Sequence, residues 1–206
     1  MIIIKENPYR NLFHLEPDRG LLNDPNGLIQ FQGRYYFFHQ WNRFGLDHGY
    51  KEWGAFTSSD LNNWDHLGSA LLPDSKEDSD GVYSGSAIEH DNKLYVFYTG
   101  NTKNNGTRKT YQRMACSSNG CTFIKSEKVI ETPNGFTEHH RDPKVWQSDG
   151  KWWMIVGAQT IEQVGAINLF SSTDLEEWKY EGAFYSEQTL DQMCECPDYF
   201  QLGDAE

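Results

Sequence analysis

Positive charge is scarce in this chain. Eighteen Lys and Arg stand against 30 Asp and Glu, for a net charge of −12 over 206 residues. Affinity for nucleic acid comes largely from Lys and Arg neutralising phosphates, so this balance argues against such a partner. Long apolar runs are also missing. No stretch approaches the ~18 residues of a membrane span, so no membrane partner is expected. The chain starts MIIIKENPYRN, with Lys5 and Glu6 directly after three Ile. That order leaves no hydrophobic region of a secretory signal, and a cytoplasmic location is expected. Cysteine is sparse: Cys116, Cys121, Cys194 and Cys196. In a cytosolic chain these default to free thiols. Their separations of five and two residues do not match the usual zinc spacings, so no metal is expected. No cofactor is required by anything else in the chain. Helical periodicity is nowhere convincing.

Aromatic residues are plentiful. Hydrophobic residues reach only 37%, yet 15% of the chain is aromatic, with 7 Trp, 11 Tyr and 12 Phe. Each aromatic buries roughly 150–250 Å², enough together for a sizeable core and the walls of a sugar site. The length suits one large domain or two small ones.

A repeat organises the chain. NGLIQFQGRYYFFHQ, SGSAIEHDNKLYVFYTG and DPKVWQSDGKWWMIVGAQ each hold two apolar-aromatic runs around a polar turn. The turns fall at Gln32-Gly33, Asp91-Asn92 and Asp149-Gly150, spaced 59 residues from Gly33 to Asn92 and 58 from Asn92 to Gly150. Such runs around Asn, Asp and Gly are hairpin signals. Between the hairpins a second element recurs, as TSSDLNNWDHLGSAL, CSSNGCTFIKSEKVI and SSTDLEEWKYEGAF. Each has a Ser-rich turn, an aromatic (Trp64, Phe123, Trp178) and another strand-like run. Four strands per unit of just under 60 residues predict an all-β chain and a β-propeller. A β-sandwich with accidental similarity is the competing architecture. A fourth unit opens at Glu195-Cys196-Pro197 and reaches a turn at Leu202-Gly203-Asp204. Three units and the first strand of a fourth cannot close a ring of ~4–8 blades. The expectation is therefore a fragment covering residues 1–206, or a product lacking its C-terminal half.

Three acids stand in register with the repeat. Asp24, Asp142 and Glu195 precede their turns by comparable distances, and Ser84 occupies the matching place in the second unit. Asp24 and Asp142 are each followed by Pro, which fixes φ and lacks a donor; this predicts an acid at the start of a strand, not inside it. In a propeller the innermost strand of each blade lines a central funnel. The same position in successive blades then converges there, as a pair of carboxylates flanking a glycosidic bond requires. Alone, each of these acids would read as a turn former or a surface charge. His139 and His140 lack metal-ligand spacing and read as loop packing, and Trp152 and Trp153 as core and rim.

On GLLNDPNG, YSGS, HHRDPKVW, MIVGAQ and ECPDYF the chain resembles glycoside hydrolase family 32, the invertase and β-fructofuranosidase family. Within it, the bacterial sucrose-6-phosphate hydrolases are most similar. The resemblance runs from about His14 to the last residues. It implies a five-bladed propeller with a C-terminal β-sandwich, the latter absent here. It implies Asp24 as nucleophile, Glu195 as general acid/base and Asp142 as transition-state stabiliser. It further implies Asn23, Gln40, Trp53, Ser84 and Arg141 as fructose-binding residues, with Cys196 packed against the acid. Glu195 has to arrive protonated, which neighbouring carboxylates would favour by repulsion. Asp24 has to stay ionised and should receive more hydrogen bonds. The implied reaction is retaining hydrolysis of the fructosyl bond of sucrose 6-phosphate or sucrose. A phosphate would need basic donors, for which Arg43, His48, Lys51 and Arg113 are candidates. Two competing readings stay open. One is a non-catalytic fructoside-binding propeller. The other is an inactive fragment that self-associates through exposed strand edges.

Overall fold

The computed structural model describes residues 10–11, 13–187 and 190–203. Among them, twelve strands form three four-stranded antiparallel sheets, and no α-helix is present. The first sheet holds β1 (Leu21–Phe31), β2 (Arg34–Asn42), β3 (Glu52–Ser58) and β4 (Trp64–Leu71). The second holds β5 (Val82–His90), β6 (Lys93–Asn104), β7 (Thr107–Ser117) and β8 (Ile124–Glu131). The third holds β9 (Phe136–Ser148), β10 (Lys151–Thr160), β11 (Gly165–Ser172) and β12 (Lys179–Ser186). In every sheet the strands lie side by side in chain order. The strand β5 packs against both β1 and β9, so the first strands of the three sheets are neighbours. These are propeller blades around an axis, not two sheets face to face.

Local chemistry fixes the hairpins. The two residues joining β1 to β2 are Gln32 and Gly33, with φ of 47° and 76°. Asp91 and Asn92 join β5 to β6 at 48° and 58°, and Asp149 and Gly150 join β9 to β10 at 51° and 73°. Two positive φ angles make the tight turn whose twist matches the flanking strands, which is why Gly, Asn and Asp stand there. The Ser-rich element is equally regular. Ser58 Oγ accepts from the backbone N–H of Asp60 and Leu61, and Asp60 Oδ1 from those of Asn62 and Asn63. Ser117 with Asn119 and Ser172 with Asp174 repeat this in the other two blades. A serine and an Asx side chain satisfy four backbone donors that no strand could.

The core lies between blades. Along β6, Leu94, Val96 and Tyr98 point to the first blade and pack with Phe38, Trp53 and Val82. Tyr95 and Phe97, between them in sequence, point to the third blade and pack with Met154, Phe170 and Trp178. Side chains alternate across a strand, so a strand covered on both faces is apolar throughout. That is the physical reason for the unbroken run LYVFY.

Two expectations need correction. Pro25 and Pro143 lie inside β1 and β9, not at their starts. Both fall where the ladder slips, between Leu22 and Pro25 and between Arg141 and Lys144. The innermost strand is an edge strand, so a missing N–H on its open side removes no ladder bond. The segment from Glu195 also forms no strand, apart from a single bridge at Leu202 among the described residues. A strand is stabilised by its ladder, and among the described residues no neighbouring strand pairs with this segment beyond that bridge. The segment runs beside β9 instead, where Trp146 stacks on Tyr199 at 4.4 Å and Lys144 pairs with Asp198 at 2.7 Å. The turn expected at its end includes Asp204, which lies outside the described residues.

Candidate active site

Asp24 is held at the top of β1 by its neighbours. Gln40 Nε2, from β2, donates to Asp24 Oδ2 at 2.9 Å. Ser84 Oγ, from β5, donates to the same oxygen at 2.8 Å, and Gln40 also contacts Ser84. Gln40 and Ser84 are buried, so both donors are fixed in place. Asn23 Nδ2 in turn reaches Gln40 Oε1 at 3.4 Å. Asp24 thus receives two side-chain hydrogen bonds on one oxygen. Its Oδ1 makes none with a described residue.

Asp142 is set differently. It is buried in β9 with φ of 66°. A residue before proline is normally extended, so this conformation persists only where its surroundings impose it. Its backbone N–H donates to Thr99 Oγ1 of the second blade at 2.9 Å. Thr99 donates to Gln112 Oε1 at 2.6 Å, and Gln112 Nε2 to the His140 carbonyl at 3.0 Å. Thr99, Gln112 and His140 are fully buried, so the anchor is stiff. On the side chain, Oδ2 accepts from Cys196 N at 2.9 Å and from Cys196 Sγ at 3.5 Å. Burial pushes the Asp142 carboxyl above the usual carboxylate range, and the Cys196 N–H and Arg141 pull it partly back. Burial and the charges of Asp142 and Asp24 push the Cys196 thiol up, so it donates to the acid as a thiol.

Glu195 is the most exposed of the three acids, its side chain 59% exposed. Arg141 Nε donates to Glu195 Oε1 at 3.0 Å, and Arg141 Nη2 contacts the same oxygen. Arg141 also donates to His139 Nδ1 at 3.1 Å. The segment carrying Glu195 is pinned to the third blade. Gly165 N donates to Asp191 O at 2.7 Å, Gln159 Nε2 to Gln192 O at 2.7 Å and Cys194 N to Ala158 O at 3.4 Å. All four cysteines are free thiols.

A cleft of about 300 Å³ brings Asp24, Asp142 and Glu195 together, with Gln40, Arg141 and Cys196 on its walls. A second cavity of about 170 Å³ is lined by Gly27, Ser86 and Pro143 and shares Asp142 and Cys196 with the cleft. Lys51, Tyr83 and Arg108 complete the cleft. Lys51 was a candidate from sequence; Tyr83 and Arg108 were not. Tyr83 precedes Ser84, so its place beside the acids was there to be read. Arg108 follows the Asn105-Gly106 turn of the long β6–β7 hairpin, whose length carries it over the cleft.

Trp53 is not on the cleft wall. It is fully buried, 5.6 Å from Phe38, and its indole N–H donates to the Tyr83 carbonyl at 2.8 Å. It holds Tyr83 from behind. Arg43 is engaged by the buried Glu52 at 3.5 Å and by Ser69 at 3.0 Å. Arg113 is buried against Asp78 at 3.0 Å. Both arginines are structural cations, taken up by acids away from the cleft.

Known proteins share this architecture. The glycosyl hydrolases family 32 N-terminal domain matches residues 14–206. A sucrose-6-phosphate hydrolase of Bacillus subtilis is 45% identical over 97% of this chain and 43% of its own length. One from Klebsiella pneumoniae is 46% identical over 93% of this chain and 42% of its own. Among solved structures, a sucrose-6-phosphate hydrolase of Lactobacillus gasseri superposes with a TM-score of 0.88 at 40% identity. It is covered over 94% of this chain and 40% of that one. A family 32 beta-fructofuranosidase of Bombyx mori gives 0.86 at 31% identity, over 96% of this chain and 43% of that one. The chain thus spans about two fifths of the length of these relatives, and it belongs to glycosyl hydrolase family 32.

Proposed function

We propose that this chain is the N-terminal part of a five-bladed catalytic propeller, completed by a C-terminal β-sandwich, and that the complete protein hydrolyses the fructosyl bond of sucrose 6-phosphate or sucrose with retention. Asp24 is the nucleophile. Its Oδ1 has no partner among the described residues and attacks the anomeric carbon of the fructosyl unit. Gln40 and Ser84 hold Oδ2 and orient the carboxylate. Glu195 gives its proton to the leaving glycosidic oxygen as the carbon–oxygen bond breaks. It then takes a proton from water, whose oxygen attacks the anomeric carbon and releases Asp24. Asp142 holds fructose hydroxyls through Oδ1, since Cys196 occupies Oδ2, and stabilises the positive charge that develops on the sugar. Arg141 leaves Glu195 for the sugar hydroxyls when substrate enters, which frees the acid to move its proton. Asn23 orders Gln40. A phosphorylated substrate accords with a cytoplasmic location, since sugars imported by phosphotransfer arrive phosphorylated.

The observation that carries this reading is the convergence of three acids on one cleft with unlike surroundings: Asp24 capped by two donors, Asp142 buried, Glu195 exposed. A retaining pair is expected about 5–5.5 Å apart. The test is turnover of sucrose and sucrose 6-phosphate by the complete protein and by its Asp24→Ala and Glu195→Ala variants. Loss of turnover in both, with folding kept, is expected. Near-normal rates in either would remove its role, and binding without release of fructose would favour a non-catalytic sugar-binding propeller.

A further inference from the structure

We infer that Lys51, His48 and Arg108 form the site that receives the phosphate of a phosphorylated sugar at the mouth of the cleft; this rests on the fructosidase reading above. The chain carries twelve more acids than bases, and its cations are mostly spoken for. Arg43 is held by Glu52, Arg113 by Asp78, and Arg141 by Glu195. Lys51 and Arg108 differ. Both line the cleft, and neither has a carboxylate within ion-pair distance among the described residues. The Arg108 guanidinium makes no hydrogen bond to a described residue. Among the described residues Lys51 Nζ hydrogen-bonds only with Asn23 Oδ1 at 3.4 Å and His48 Nδ1 at 3.0 Å.

Lys51 and Arg108 line the cleft itself, and His48 reaches it through Lys51. Lys51 stands 5.8 Å over the Tyr83 ring, and both line the cleft that holds the acids. His48 is exposed and lies one Lys51 contact further out. Arg108 comes from the second blade, on the extended β6–β7 hairpin. Burial lowers the Lys51 pKa, and the charge of Asp24 offsets part of this. A half-buried ammonium without an anion is a cost that an incoming dianion would remove. A guanidinium fork and an ammonium together suit the tetrahedral oxygens of a phosphate.

The test compares kcat/KM for sucrose and sucrose 6-phosphate in the complete protein, its Lys51→Gln and Arg108→Gln variants, and the double variant. The original protein should favour the phosphorylated substrate. Each substitution should cut the sucrose 6-phosphate value roughly 10- to 100-fold more than the sucrose value, the range of a charge-assisted contact. Equal losses on both substrates, or no preference to begin with, would overturn the assignment. Release of fructose from neither substrate would refute the fructosidase reading instead. In that event, calorimetric binding of glucose 6-phosphate that weakens about tenfold in Lys51→Gln would still support the anion site. Absence of such binding would overturn it. Inorganic phosphate competing as well as glucose 6-phosphate would make it a site for free phosphate, against the proposal.

Discussion

Gly157 and Cys194 touch so closely that a side chain cannot come between them. A Cβ on Gly157 would lie 2.3 Å from the Cys194 carbonyl oxygen and 3.3 Å from that of Arg141. Gly157 is on β10, facing the segment that presents Glu195. The glycine is required by close approach of two backbones. Gly157→Ala should push that segment outward while leaving the three sheets paired. A misplacement of about 1 Å at a reacting group costs roughly 10²-fold in rate, and that loss in kcat is expected with little change in Tm. Steady-state kinetics and thermal unfolding check it. A variant of normal kcat would show that Glu195 is not positioned through Gly157.

The Asp142 carboxylate carries a stability cost. Its carboxyl is buried and its pKa is raised, so the ionised form burdens the fold at neutral pH. Asn in its place can still accept from Cys196 N–H but carries no charge. Asp142→Asn should therefore unfold at the same temperature or higher at pH 7, while kcat falls roughly 10²–10³-fold, as for other lost transition-state contacts. A marked drop in Tm would mean that the charge itself supports the fold.

Two buried histidines set the acid side of the stability curve. Burial holds His39 down to about 4 and His140 down to about 3, and the Nε2 of each is buried without a partner. The unfolded chain binds these protons near pH 6.5. Below that, and down to the folded values, the unfolded state holds more protons, so stability falls as pH falls. Each histidine can contribute up to about 1.4 kcal/mol per pH unit in that window. Asp142 acts in the opposite sense, since its raised carboxyl gains a proton more readily in the folded state. His66 and His139 are lowered as well, so the histidines outweigh one carboxyl, and Tm should drop steadily from pH 6.5 to 4.5. The His140→Asn variant should show a shallower drop over the same range. An equal slope in that variant would remove His140 from the account.

The features legible in the sequence were those fixed by neighbouring residues. The hairpin turns could be placed because Gly, Asn and Asp carry the positive φ such turns need. The register of Asp24, Ser84 and Asp142 followed from those turns. What escaped depends on contacts between distant segments. Trp53, given as a fructose-binding residue by the resemblance alone, is buried between blades, a placement that its neighbours in sequence do not encode. Arg108 is brought to the cleft by the length of a hairpin, and Arg43 and Arg113 are withdrawn by Glu52 and Asp78. Pro25 and Pro143 were misplaced because the tolerance of an inner strand for proline comes from its open edge, a property of the assembled blade.

The central claim is that Asp24 forms a covalent bond to fructose. The most direct measurement is mass spectrometry of the complete protein, acid-quenched during turnover of sucrose 6-phosphate. The account predicts a peptide containing Asp24 that is heavier by one hexosyl residue, absent in Asp24→Asn. An adduct on another carboxylate, or turnover with no adduct and an inverted first-formed fructose anomer, would contradict it.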